Sequence, residues 1–152
     1  MLAHTLLSLA PALAPQDDLK LGTYAREIGG LADPTGVVLD DDGTTTVLEW
    51  ALDRVLVLGP DGLERARFGG PGAADGELRG ARDLARGPQG MLWIADTGNH
   101  RVQAWTAAGE FVLSFGTWGP GAGELNAPGG LDVDAERVYV ADTLNDRVQV
   151  FD

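Results

Sequence analysis

Asp96-Thr97-Gly98-Asn99-His100-Arg101-Val102-Gln103 returns 46 residues later as Asp142-Thr143-Leu144-Asn145-Asp146-Arg147-Val148-Gln149. A period of that length marks a chain assembled from stacked copies of one small supersecondary unit. A third, weaker copy lies upstream at an offset of 47 residues. Gly43 precedes Gly90 by that distance, Arg54-Val55 precedes Arg101-Val102, Phe68-Gly69 precedes Phe115-Gly116, and Gly76-Glu77-Leu78 precedes Gly123-Glu124-Leu125.

Each copy reads as short strands. In the first, Gly36-Val37-Val38-Leu39 is apolar and Asp40 to Gly43 turns the chain, an Asp-Gly hairpin signal beside apolar runs. Thr44 to Leu48 is rich in β-branched residues and forms the second strand, and Arg54 to Leu58 the third. Gly59-Pro60-Asp61-Gly62 is a turn, and Glu64 to Phe68 is a more polar fourth strand. The second copy repeats the plan through Asp83–Ala85, Met91–Ile94, Arg101–Trp105 and Glu110–Phe115. The third supplies Gly130–Val133, Val138–Ala141 and Arg147–Phe151, then reaches Asp152 without a fourth strand. No long stripe of period 3.6 follows residue 20. Four antiparallel strands in roughly 40–50 residues describe a propeller blade, which cannot bury both of its apolar faces alone. The expected fold is all-β, a partial propeller of about three blades over 31–69, 78–116 and 126–152.

These residues resemble the NHL repeat: Pro128 to Leu131, the Val-Ala-Asp-Thr-x-Asn-x-Arg-Val-x-x-Phe run of Val140 to Phe151, Phe115-Gly116, and the glycine-rich Gly121 to Pro128. The resemblance spans about residues 24–152. The first copy departs from it, with Glu49, Trp50 and Leu52 where the pattern has Asp, Thr and Asn, which puts its loop in question. The resemblance implies a six-bladed propeller that serves as a binding platform. A few such propellers are lyases or hydrolases, which leaves open half of an enzyme that works as an oligomer.

The strand count adds a further expectation. Tyr24-Ala25-Arg26-Glu27-Ile28-Gly29 aligns with Phe111 to Gly116, a fourth strand without a blade of its own. A closed ring takes about 4–8 blades. Two chains head to tail would make six, each chain's 24–28 strand completing the other's last blade, as half of a six-bladed ring. The alternatives are a truncated piece of a longer propeller and a half-propeller docked on another protein.

The formal charge of −12, from 11 basic and 23 acidic residues, opposes nucleic-acid binding and docking on anionic lipid. The absence of cysteine excludes disulfides and thiolate metal sites. Residues 1–14 are apolar and free of acids, and Ala12-Leu13-Ala14 has the small-x-small form of a cleavage site. Residues 1–20 therefore read as a leader resembling a secretory signal, too short to span a bilayer, and export to the periplasm or outside the cell is expected.

Asp96, Asn99 and Arg101 recur as Asp142, Asn145 and Arg147 in the next copy and read as scaffold, the ionic groups bracketing a tight loop. Function is expected where copies differ. The loop between second and third strands shares a rim with the connection from fourth strand to next first strand, and that rim carries Trp50, Asp53, His100, Trp118 and Asp146. Aromatics with scattered carboxylates suit a peptide, a sugar or a cation. His100 is the sole histidine beyond His4 of the leader, so no catalytic triad or zinc set is expected, and no cofactor. Arg86 stands where other copies have Leu39 and Val133; buried there it needs a carboxylate, or else lines a channel as a ligand contact. Asp40-Asp41-Asp42-Gly43 lacks the spacing and distal Glu of a calcium loop and reads as a solvated turn.

Overall fold

The computed structural model of the protein describes residues 27–152, which form eleven strands in three antiparallel sheets. The first sheet contains β1 (Pro34–Leu39), β2 (Thr45–Glu49), β3 (Arg54–Leu58) and β4 (Glu64–Gly69), paired in that order. The second contains β5 (Asp83–Arg86), β6 (Leu92–Asp96), β7 (Arg101–Trp105) and β8 (Phe111–Phe115), again in sequence. The third has β9 (Pro128–Val133), β10 (Val138–Asp142) and β11 (Arg147–Phe151). This is a partial β-propeller of three blades, the last without a fourth strand among the described residues. The helical segments described are single turns of 3-10 helix in loops, and no described helix is long and apolar enough to cross a membrane.

The leader lies outside the described residues, as do Tyr24 to Arg26 of the expected strand over 24–28. Glu27 and Ile28 are described and are not in a strand.

First strands of successive blades are neighbours, β1 against β5 and β5 against β9, which places them nearest the propeller axis. Period-2 side chains then face the preceding or the following blade. Between blades one and two, Leu48 and Val55 meet Leu78, Leu84, Leu92, Ile94 and Trp105. Between blades two and three, Val102 meets Leu125, Val138 and Val140. Aromatic residues seal each seam at the outer strands. Phe68 lies 5.0 Å from Trp105, and Phe115 lies 4.5 Å from Phe151, ring centroid to centroid.

The glycine-rich connections are built alike. Leu78 N–H donates to Gly70 O, and Leu125 N–H to Thr117 O, both at 2.8 Å, with each leucine fully buried. Glu77 and Glu124 close their own loops by accepting from Ala74 N–H and Gly121 N–H. Gly69 and Gly116 start these loops with φ of 85° and 91°, a left-handed conformation. A Cβ there would sit 2.9 Å and 2.6 Å from the Cδ1 atoms of Leu78 and Leu125, so backbone and packing both demand glycine.

Candidate functional site at the axial rim

A polar node organises the rim side of each blade. Asp96, fully buried at the end of β6, accepts from Arg79 N–H at 2.8 Å, Asn99 at 2.9 Å, Arg101 Nε at 2.8 Å and Gln103 Nε2 at 3.0 Å. Asp142 repeats this with Asn126 N–H, Asn145, Arg147 and Gln149. Burial pushes the Asp142 carboxyl up, but the Asn126 N–H and the Asn145 and Arg147 side chains outweigh it and hold it below its ordinary value. The surplus donors of the node tie the glycine-rich loop down. Arg101 reaches Ala74 O and Glu77 O, Asn99 reaches Gly72 O, and Arg147 reaches Gly121 O and Glu124 O. The recurring residues are thus consumed by backbone groups and by one another.

The first copy keeps the node with altered chemistry. Glu49 takes the aspartate's place, accepting from Ala32 N–H and pairing with Arg54. The loop that follows keeps its shape: Trp50–Leu52 form a 3-10 turn and Asp53 is left-handed at φ 49°, as are His100 at 56° and Asp146 at 52°. Leu52 and Leu56 stand where the other copies have Asn and Gln. Leu56 packs with Ile28 and Leu31 instead of reaching a loop carbonyl.

The rim residues separate into two kinds. Asp53 accepts from Gly80 N–H, and His100 accepts through Nδ1 from Ala127 N–H at 3.1 Å, so both clasp the next blade at the same position. Asp146 has the same place on blade three. Trp118 lies in the second glycine-rich connection, paired with Leu125 and 70% exposed. Trp50, 47% exposed, borders a depression of about 370 Å³ together with Thr35, Arg82 and Gly129. Thr35, Arg82 and Gly129 occupy one position in three successive copies, at the foot of each first strand, so this depression is the mouth of the axis. Trp118, Asp53, His100 and Asp146 are not part of its lining. Arg82 is exposed, and its side chain has no hydrogen bond or ion pair among the described residues. The sequence reading missed Thr35 and Arg82. The signal was available, since the three copies carry Thr, Arg and Gly in one register.

Arg86 lies away from the rim. Its guanidinium is bidentate to Asp40, at 2.9 and 2.7 Å, and also donates to Thr46 Oγ1 and Gly90 O. One carboxylate of the Asp40–Asp42 turn therefore anchors blade two to blade one. Asp83 instead accepts Leu131 N–H across the next seam at 2.8 Å. Asp42 accepts Thr44 N–H, which with the Thr44 side chain lowers its carboxyl from the ordinary value.

The family model of the NHL repeat matches residues 78–105. The RING finger protein nhl-1 of Caenorhabditis elegans is 42% identical over 81 residues, which are 53% of this chain and 8% of that protein. A streptogramin B lyase structure superimposes with a TM-score of 0.60 at 16% identity, over 79% of this chain and 40% of the lyase. Virginiamycin B lyase from Staphylococcus aureus gives 0.55 at 14% identity, over 78% and 41%. The chain therefore spans about two fifths of these solved structures and a small part of the curated relative. At such identities the structural likeness establishes the fold alone.

Proposed function

We propose that this chain, built of NHL repeats, is a non-catalytic scaffold that binds a protein partner at the mouth of its axis. The observation that carries this reading is the division of labour on the rim. The recurring polar residues of blades two and three are spent on loop carbonyls and on one another, whereas Trp50 and Arg82 differ from their counterparts and leave the indole and the guanidinium exposed at the depression. A flat indole beside an unpaired guanidinium suits an extended peptide with an apolar residue followed or preceded by a carboxylate. Against the chain's charge of −12, a guanidinium held at this depression is a local attraction for a carboxylate.

A displayed random-peptide library selected on the full chain tests this. The expected result is enrichment of peptides that pair an apolar residue with an acidic one, with affinity reduced roughly tenfold by Arg82→Ala or Trp50→Ala, a change of about 1.4 kcal/mol. Selected peptides that bind both variants as well as the parent would refute the assignment. Export, expected from residues 1–14, belongs to the same proposal. N-terminal sequencing of protein recovered outside the cytoplasm should begin near Pro15, and retention of Met1 in the mature protein overturns it.

A further inference from the structure

We propose that the glycine-rich connection leading into blade three binds a partner protein through an arginine held between Trp118 and Glu124, with an apolar neighbour of that arginine resting on Leu144. Trp118 is the most exposed aromatic residue among those described, at 70%, and it takes no part in the mouth of the axis. Its exposure does not depend on what stands beyond blade three. The equivalent residue in the connection into blade two is Pro71, which is exposed although blades stand on both sides of it. Leu144, 65% exposed, holds the place of Gly98, which is exposed with blade three beside it.

The indole is displayed on a fixed platform. Gly119, the next residue, is buried; its N–H donates to Leu125 O at 3.3 Å, and its carbonyl accepts from Asn145 Nδ2 at 2.9 Å. Leu144 N–H donates to Asn126 O at 3.0 Å. These bonds bring the Trp118–Gly119 and Leu144–Asn145 segments side by side and hold them before a partner arrives, which limits the ordering cost of binding. Blade two shares the frame and lacks the surface, since Asn99 bonds Gly72 O in the same way but Pro71 and Gly98 stand in place of Trp118 and Leu144.

Charge selects the occupant. Glu124 Oε2 accepts from Gly121 N–H at 2.8 Å, and the carboxylate has no ion-pair partner among the described residues. A Cβ added at Gly119 would collide with it, so it lies directly against the residue that follows Trp118. Arg147 does not neutralise it, because its Nε is paired with Asp142 at 2.8 Å and its Nη2 donates to the carbonyls of Gly121 and Glu124. No charged residue lies between Glu110 and Glu124 in the sequence. An aromatic face beside an unneutralised carboxylate attracts a cation. Arginine fits better than lysine, because a planar guanidinium lies flat on the indole while its edge donates to Glu124. The chain's charge of −12 adds a long-range attraction for a basic segment. The depression beside Trp50 presents a guanidinium and asks for a carboxylate, so the two sites are told apart by the sign of the charge they bind.

The test is a displayed random-peptide library selected on the full chain, with the selected pool then divided by loss of binding to Trp118→Ala. The peptides lost should carry an arginine close to an apolar residue. Synthetic copies of them should bind Trp118→Ala and Glu124→Gln roughly tenfold more weakly than the parent, and Trp50→Ala as tightly as the parent. Glu124→Gln keeps an acceptor for Gly121 N–H and removes only the charge. Leu144→Gly, which installs the residue that blade two carries, should also weaken binding. Circular dichroism and the urea midpoint of Trp118→Ala and Glu124→Gln should match those of the parent. A pool in which no peptide is lost on Trp118→Ala overturns the inference. So do lost peptides that bind Glu124→Gln as tightly as the parent, and so does replacement of their arginine by lysine without loss of affinity.

Discussion

Asp96 holds four donors while fully buried, which makes it the residue on which the second blade most depends. Removing the carboxylate takes one acceptor from each of Asn99, Arg101 and Gln103 and leaves the Arg79 N–H without its partner. Asp96→Ala should lower the unfolding free energy by about 3–5 kcal/mol, read by urea denaturation. Asp142 gives the same node a pH signature. Its folded-state carboxyl lies below the ordinary value of 3.8, so its contribution is complete above that value and is lost as pH falls through the lower folded one. Acid titration of stability should therefore show a steeper fall below pH 3.8 in the parent than in Asp142→Asn. The aspartates, asparagines and arginines were legible as scaffold because they recur. Their acceptors were not, since Glu77 O and Gly72 O lie more than twenty residues away and contribute no side-chain signal.

At the scale of the element, the first copy explains its own departures. Where Gln103 donates to Glu77 O, Leu56 makes an apolar contact with Ile28 and Leu31 instead. Leu56→Gln should cost about 1–3 kcal/mol, because its amide is buried without a partner. The four strands β1 to β4 were readable from their apolar and β-branched runs and the turns between them. The persistence of the Trp50–Asp53 turn was not, because Glu49 for Asp96 changes the residue and preserves the bond to the backbone N–H. Gly116 belongs to this scale too. Gly116→Ala should destabilise by more than about 1 kcal/mol, through its left-handed φ and the collision with Leu125, as measured by thermal melting.

For the whole molecule, charge opposes association. Two copies carrying −12 each repel. Added salt screens that repulsion while leaving the exposed apolar residues Val37 and Val148 unchanged. Any self-association read by light scattering should therefore rise from about 0.02 M to about 0.5 M salt. A fall would mean that ion pairs, not apolar contact, bring copies together.

The period of the repeat, the alternation of apolar residues and the turn residues determined the blades, their number and their strand order, because each of these is a local property written in neighbouring side chains. Tertiary structure alone decided which carboxylate meets Arg86, which loop carbonyls fill the polar nodes, and which rim residues are spent on the next blade. Those pairings join positions about 17 to 48 residues apart, and an ion pair or hydrogen bond of that kind depends on how two blades are rotated against each other, a quantity set by the packing of the whole seam.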